Sequence, residues 1–510
     1  MTLRIVLGDQ LNIKHSWFSK IDDSVLYMMA ELRSETDYVL HHAQKLAGFF
    51  AAMRSFSKQL QADGHKVLYF SINGVSNPEN FQSLLDQICA EFPINSIQGM
   101  YPDEFRLYKA LSEYQSTNAL RVEWTDSEHF FIPFKQITQY LKPGRSQLME
   151  SFYRRLRKET GILMKDNGEP YGEQWNFDKD NRKPLPKAFT FPQRHYFSND
   201  VSEVWQDILA SNCHYFGEIN DKKFIWPITR KQALKQLEHF LAYNLQVFGS
   251  FQDAMTDKDD FLMHSRISFA LNCKLISPGE VIDQAISYWK ENSEQITLTQ
   301  LEGFVRQILG WREFVRGIYW ANMPEYAKLN ALNAQHTLPD WFWTGKTKMA
   351  CLKHAIGQSL NHAYAHHIQR LMLTGNFALL YGAHPDEVDQ WYLGIYIDAV
   401  EWVEMPNTRG MSQYADGGIV GSKPYVSSAN YIQKMSNYCT SCPYNPKTRT
   451  ESNSCPFNSL YWNFYLEHEE KFRKNPRISM VYRNLDKMSQ IEKEALQLKA
   501  ADIRKNINTL

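Results

Sequence analysis

Met1-Thr-Leu-Arg-Ile-Val-Leu-Gly-Asp-Gln10 opens on an apolar run, Arg4–Leu7, that reads as a buried strand and breaks into a polar turn within ten positions. The pattern recurs at Val25–Met29, Lys66–Ile72, Ser96–Met100 and Leu120–Trp124. Between these runs, helical periodicity covers about 38–63, where Gly64 serves as a helix end, and then about 78–91 and 102–118. Strands separated by helices predict a doubly wound α/β domain with a parallel sheet over residues 1–135. Such sheets bind ligands at the carboxyl ends of their strands, so Gly8, Asp9 and Gln10 are a candidate pocket wall. A plain strand-to-helix turn would use the same residues.

The pattern changes outside that domain. Pro143-Gly144 breaks the chain, and Arg145–Lys158 follows as a basic amphipathic helix. A loop-like tract then runs from Asn167 to Pro192. Residues 145–194 hold 11 basic and 7 acidic side chains, a local surplus that suits a phosphate-facing surface as readily as a solvated linker. We read 136–200 as an interdomain linker. From 201 to 510 helical periodicity dominates, as at Ile228–Phe248, Thr299–Tyr319, Lys346–Thr374 and Asn458–Phe472, which predicts an all-α domain.

A chain of 510 residues is too long for one core. Its 43% hydrophobic and 22% charged residues exclude a largely disordered protein. With 56 basic and 56 acidic residues, a polybasic binder is excluded, whereas a local basic groove is not. The start has no cleavable apolar segment, and no apolar run approaches the ~18 residues of a membrane span. Seven cysteines do not suggest a secreted disulfide framework, so a cytoplasmic protein is expected.

Three blocks carry chemistry. Cys439-Thr-Ser-Cys442 and the nearby Cys455 can share one metal centre, which the residues alone leave as structural zinc, a [4Fe–4S] cluster or a redox pair. Within the stretch 357–371, adjacent His366 and His367 on a helix would serve different neighbours, whereas His362 and His366 would share a face. Asp398, Glu401 and Glu404 stand three residues apart, and on a helix they would line one face amid Trp391, Tyr392 and Trp402. Buried carboxylates need donors, and a heterocycle's N–H or ribityl hydroxyls would supply them.

Together these blocks resemble the photolyase/cryptochrome superfamily, within it the iron–sulfur bacterial branch that includes prokaryotic (6-4) photolyases. The resemblance spans nearly the whole chain and rests on Leu7–Leu11, His264–Ser268, Trp311–Phe314, His366-His367, Asp398–Asn407 and the Cys439/Cys442/Cys455 loop. It implies an antenna-chromophore domain at 1–135 and a helical FAD-binding catalytic domain at 201–510. It also implies a [4Fe–4S] cluster with Cys351 as the distant fourth ligand. Ser265, Ser268, Arg312, Asp398, Glu401, Glu404 and Asn407 match FAD-binding positions, with Glu404 facing flavin N5.

The implied reaction is blue-light-driven repair of pyrimidine–pyrimidone (6-4) photoproducts in UV-damaged DNA, with electron transfer from reduced FAD. His367 is assigned the proton transfer and His366 its orientation. Leu371, Met411, Tyr425 and Tyr431 are expected to wall the lesion pocket, and Trp343, Trp391 and Tyr392 to pass electrons. Relatives in this branch carry 6,7-dimethyl-8-ribityllumazine as antenna, for which Gly8, Asp9, Gln10, Glu35 and Tyr38 are the candidates. Arg154, Arg155 and Lys183 are expected at the DNA backbone, and a monomer is the expected state. A non-repairing cryptochrome would share the FAD and cluster, and a cyclobutane-dimer photolyase would need no histidine acid. A non-catalytic DNA-binding iron–sulfur protein would lack the N-terminal α/β domain.

Overall fold

Thr2–Ile5 (β1) lies at the centre of a five-stranded parallel sheet, paired on one side with Val25–Ala30 (β2) and on the other with Ser96–Met100. The structure is a computed structural model and describes residues 1–74, 78–117 and 119–510. With the two-residue strand His41–His42 counted as β3, the sheet strands are β1, β2, Val67–Phe70 (β4), Ser96–Met100 (β5) and Val122–Thr125 (β6). Their order is β4-β2-β1-β5-β6. The order reverses at β1, and that switch point opens a crevice beyond the carboxyl ends of β1, β2 and β5.

Every residue of β2 is buried, as a strand covered on both faces requires. One face, with Leu3, Ile5, Met28 and Ile97, packs on Leu84, Leu85 and Leu111. The other, with Val6, Tyr27 and Met29, packs on Leu46, Phe50 and Met53 of the helix Ala43–Ala62 and joins a core that extends into the helical part. That helix starts later than its periodicity suggests. His41–His42 instead pairs with Tyr215–Phe216 (β7), and the His42 ring accepts the Gln44 N–H as an N-cap. The helix expected over 102–118 is confined to Phe105–Ser112.

About half of the chain is helical. Among the described residues, no helix is long and apolar enough to cross a membrane. The basic helix is Met149–Thr160, ended by Gly161 at φ +72°. Arg154 and Arg155 are paired along it with Glu150 and Glu159, each at 2.8 Å. The tract 167–192 is irregular, yet it buries Asn181 completely against the helical part.

Two expectations about helices fail, and both reshape the site. Lys346–Thr374 is not one helix: Ala350–His362 ends with Ala363 at φ +51°, and His366 is the N-cap of a new helix beginning at His367. His362 and His366 thus do not share a face. His362 turns to Asp260 (3.1 Å) and His366 to His264. Asp398 likewise precedes the helix Glu401–Met405, so the three acids diverge.

Candidate active site

The break at Ala363 exists because its carbonyl is claimed from outside, by the N–H of Ile397 at 2.9 Å. This contact ties the histidine turn to the Asp398 segment. Arg370, one turn into the new helix, closes the same junction. Its guanidinium reaches Asp398 at 3.0 Å, its Nε donates to Ala365 O at 2.6 Å, and it stacks over Tyr396 at 3.8 Å. Asn272, at the end of the helix Ser268–Asn272, donates to the Asp398 carbonyl, and Arg312 donates to Asn272 Oδ1, to Leu271 O and toward His129. Arg312 therefore spends most of its donors positioning Asn272, with only Nε unpartnered. Burial pulls its pKa down to about 10.

His366 is buried and stacks on His264, with ring centroids 4.6 Å apart and planes 14° from parallel. His264 neighbours Ser265, so the two serine positions and the histidine turn meet at one place. His367, at the start of the new helix, is exposed to solvent. Burial, with Arg370 adding to it, pulls its pKa down toward about 4. The resting imidazole is therefore neutral at pH 7.

The acids are separated by environment. Glu401 accepts from the Tyr319 hydroxyl and is pushed up to about 7 by burial and by Glu104. It faces the N-terminal domain. Glu404 is buried, and burial and Asp389 hold its pKa well above the usual range. Neither Glu404 oxygen meets a partner of normal hydrogen-bond geometry, although Thr408 lies close enough to favour the charged form. Asn407 donates to Val403 O within its own helix.

Trp391 and Tyr392 are in edge contact at 5.1 Å, and the Tyr392 hydroxyl bonds Thr374 and Arg370 O, each at 2.6 Å. Trp343 is 37% exposed and packs on Phe216 at 5.4 Å. Among the described ring contacts it does not touch Trp391. Leu371 and Met411 belong to one buried cluster, against which Tyr425 and Tyr431 pack. Arg182 lies near both tyrosines, and Lys423 and Arg477 lie near Tyr425. Sequence reasoning held Arg182 only within the basic tract 145–194 and missed Lys423 and Arg477. The three come from distant segments, and only folding brings them together.

Cys351, Cys439, Cys442 and Cys455 line one small cavity. Among the described residues, no three His, Cys, Asp or Glu side chains stand close enough to hold a single ion.

The crevice at the sheet switch point is a cavity of about 770 Å³ including its open mouth. Gly8, Asp9, Glu35 and Tyr38 line it, whereas Gln10 does not. The Gln10 amide is consumed by Leu7 N, Met100 O and Tyr101 O, which fixes the loop after β1. A Cβ at Gly8 would come 2.9 Å from Met53 Sδ at the cavity wall. Arg106 forks onto Glu35 at 2.6 and 3.0 Å and lies over the Tyr38 ring at 4.2 Å. Lys45, which burial pulls down to about 8, donates to Leu393 O, and Ala399 and Val400 close the floor. Arg106 and Glu104 follow the carboxyl end of β5, so the rule that nominated Gly8 would have found them too. A third cavity of about 720 Å³, between His336, Leu379, Phe464 and Arg504, contains none of the sequence candidates.

Comparison with known proteins agrees with this geometry. The family described as "Deoxyribodipyrimidine photo-lyase-related protein" matches residues 4–224. The (6-4) photolyase of Agrobacterium fabrum (strain C58 / ATCC 33970) is 38% identical over 505 residues, covering 98% of both chains. A bacterial class III photolyase from Agrobacterium tumefaciens shares the fold with a TM-score of 0.54 at 16% identity, covering 99% of this chain and 98% of its own. The Synechocystis sp. PCC6803 cryptochrome does so with a TM-score of 0.55 at 12% identity, covering 99% of each.

Proposed function

This chain belongs to the photolyase/cryptochrome family, and from that premise we propose that it repairs pyrimidine–pyrimidone (6-4) photoproducts in DNA under blue light. The reading is carried by the His366–His264 stack and the Arg370–Asp398 pair, which bring the serine-bearing loop, the histidine turn and the Asp398 segment together.

The unpartnered buried polar atoms of His366, Glu404 and Arg312 fit a polar heterocycle such as FAD, because such groups are costly to bury unsatisfied. Ser265, Ser268, Asp398, Glu404 and Asn407 would hold it, while Arg312 supports the segment from behind. FAD supplies, in its reduced form, the light-excited electron that the lesion needs. The protein's own work is to bind, orient and move a proton. The damaged dinucleotide leaves the duplex at lower cost than intact bases. It would enter between Leu371, Met411, Tyr425 and Tyr431, with Arg182, Lys423 and Arg477 at the phosphates. His367 then gives a proton from a ring nitrogen and recovers it, so that the transferred hydroxyl returns between the bases. The imidazole that rests neutral first takes up a proton from solvent, an uptake favoured by the DNA phosphates and by negative charge arriving on the substrate; the imidazolium then gives that proton and recovers it at the end of the cycle.

The four cysteines around one cavity fit a [4Fe–4S] cluster, which takes four thiolates, and the family resemblance favours it over zinc. The switch-point cavity fits 6,7-dimethyl-8-ribityllumazine: Glu35, Asp9 and Lys45 offer polar edges and Tyr38 an aromatic face. Trp391 and Tyr392 form the inner part of an electron route. Illumination of the reduced, flavin-loaded protein with an oligonucleotide carrying a (6-4) lesion tests the reading. Restored pyrimidines in light and none in darkness support it, and an intact lesion in both overturns it.

A further inference from the structure

Tyr438 lines the cysteine cavity one residue before Cys439. Its hydroxyl donates to Thr256 O at 3.0 Å and accepts from Gln369 Nε2 at 3.3 Å. Gln369 Nε2 also donates to Gln358 Oε1 at 2.9 Å, and Gln358 donates onward to Asp260 O at 2.7 Å. The other end of the Gln369 amide faces the histidine turn, where Oε1 accepts the His366 N–H at 3.1 Å. Tyr438, Gln358, Gln369 and His366 are each at most 3% exposed. Buried amides are expensive to leave unsatisfied, so this chain of bonds is held tightly at both ends.

The turn needs such a hold. Ala363 is a non-glycine residue at positive φ, a conformation with a local cost, and the three residues that follow have no helical ladder until His367. His367 is bonded directly to His366, so whatever fixes the His366 backbone aims the His367 ring.

We propose that Tyr438 and Gln369 are positioning residues for repair: through them the wall of the cysteine cavity fixes the His366–His367 turn. This rests on reading His367 as the proton-transferring residue. It assigns the cysteine centre a mechanical part in the chemistry, with no redox change required. Misplacing a reacting group by about 1 Å costs roughly a hundredfold in rate.

The test uses the full chain loaded with flavin and iron, and measures single-turnover repair and lesion affinity separately. Gln369→Leu is expected to slow repair by about a hundredfold, and Tyr438→Phe by about tenfold, with lesion affinity and iron content unchanged. Gln369→Glu is expected to recover only part of the rate, because a buried neutral carboxyl keeps an acceptor for His366 N but has a single donor to divide between Gln358 and Tyr438. Tyr438→Phe removes one oxygen atom and remains informative if Gln369→Leu does not fold. Parental rates in Tyr438→Phe and Gln369→Leu, with His367→Ala inactive, overturn the bridge. A parental rate in His367→Ala overturns the underlying reading instead. Rate loss accompanied by loss of iron or lesion affinity also overturns the bridge, since the effect is then one of folding.

Discussion

His366 lies face to face with His264 at 4.6 Å, joining two segments a hundred residues apart. The stack joins the serine-bearing loop to the histidine turn. It also requires both rings to stay neutral, since a charge on either would face the other without water. Burial accordingly pulls His264 down to about 3 and His366 well below its ordinary value.

This has a pH consequence. Between about 6.5, the unfolded value, and about 3, the His264 imidazole takes up a proton only in the unfolded chain, so stability falls as pH drops through that window. His264→Gln removes that component. Thermal melts at several pH values should show the parent's Tm falling more steeply between about pH 7 and about pH 5 than the variant's. Parallel curves would contradict a buried neutral His264.

His367→Ala should retain flavin absorption and iron while repair falls by about 10²–10⁴-fold, the range of a lost general acid. Single-turnover kinetics on a (6-4) oligonucleotide measures this. An undiminished rate removes His367 from the chemistry.

Cys351→Ser should lower bound iron and destabilise the junction between the helix Ala350–His362 and the C-terminal loop. Iron per chain and the melting curve are the measurements. Full iron occupancy would take Cys351 out of the ligand set.

Lys274→Met should be costly. The ammonium is 1% exposed and stands 2.5 Å from Asp103 and 3.5 Å from Asp9, while its Nζ also donates to Asp9 O at 2.7 Å. Burial already pushes Asp9 up to about 7 against that attraction. Removing the cation leaves two carboxyls facing each other at the mouth of the switch-point cavity, a loss of about 3–5 kcal/mol by denaturant titration. A change under about 1 kcal/mol would mean that both carboxyls are neutral in the folded protein.

The N-terminal sheet was legible because its short apolar-rich segments alternate with helix-length stretches and β2 is one continuous buried run. The strand-end rule then led to Gly8 and Asp9, but not to Lys45, which arrives from a helix. The histidine turn was not legible. Ala363 carries no Gly or Pro signal, and its left-handed conformation is imposed by a bond from Ile397. Asp398 was misplaced for a related reason, since three-residue spacing implies one face only if the helix is already running. The pairing of Arg154 and Arg155 was visible in principle, because Glu150 and Glu159 stand four residues away on the same helix. Lys423 and Arg477 had no local signal, and Arg182 had only that of the basic tract around it.

The most direct test of the central claim compares two defined oligonucleotides, one with a (6-4) photoproduct and one with a cyclobutane dimer. Each is incubated with photoreduced protein in blue light and in darkness. Light-dependent loss of the (6-4) lesion alone is the predicted result. Repair of the cyclobutane dimer alone, or of neither lesion by a flavin-loaded sample, would contradict it.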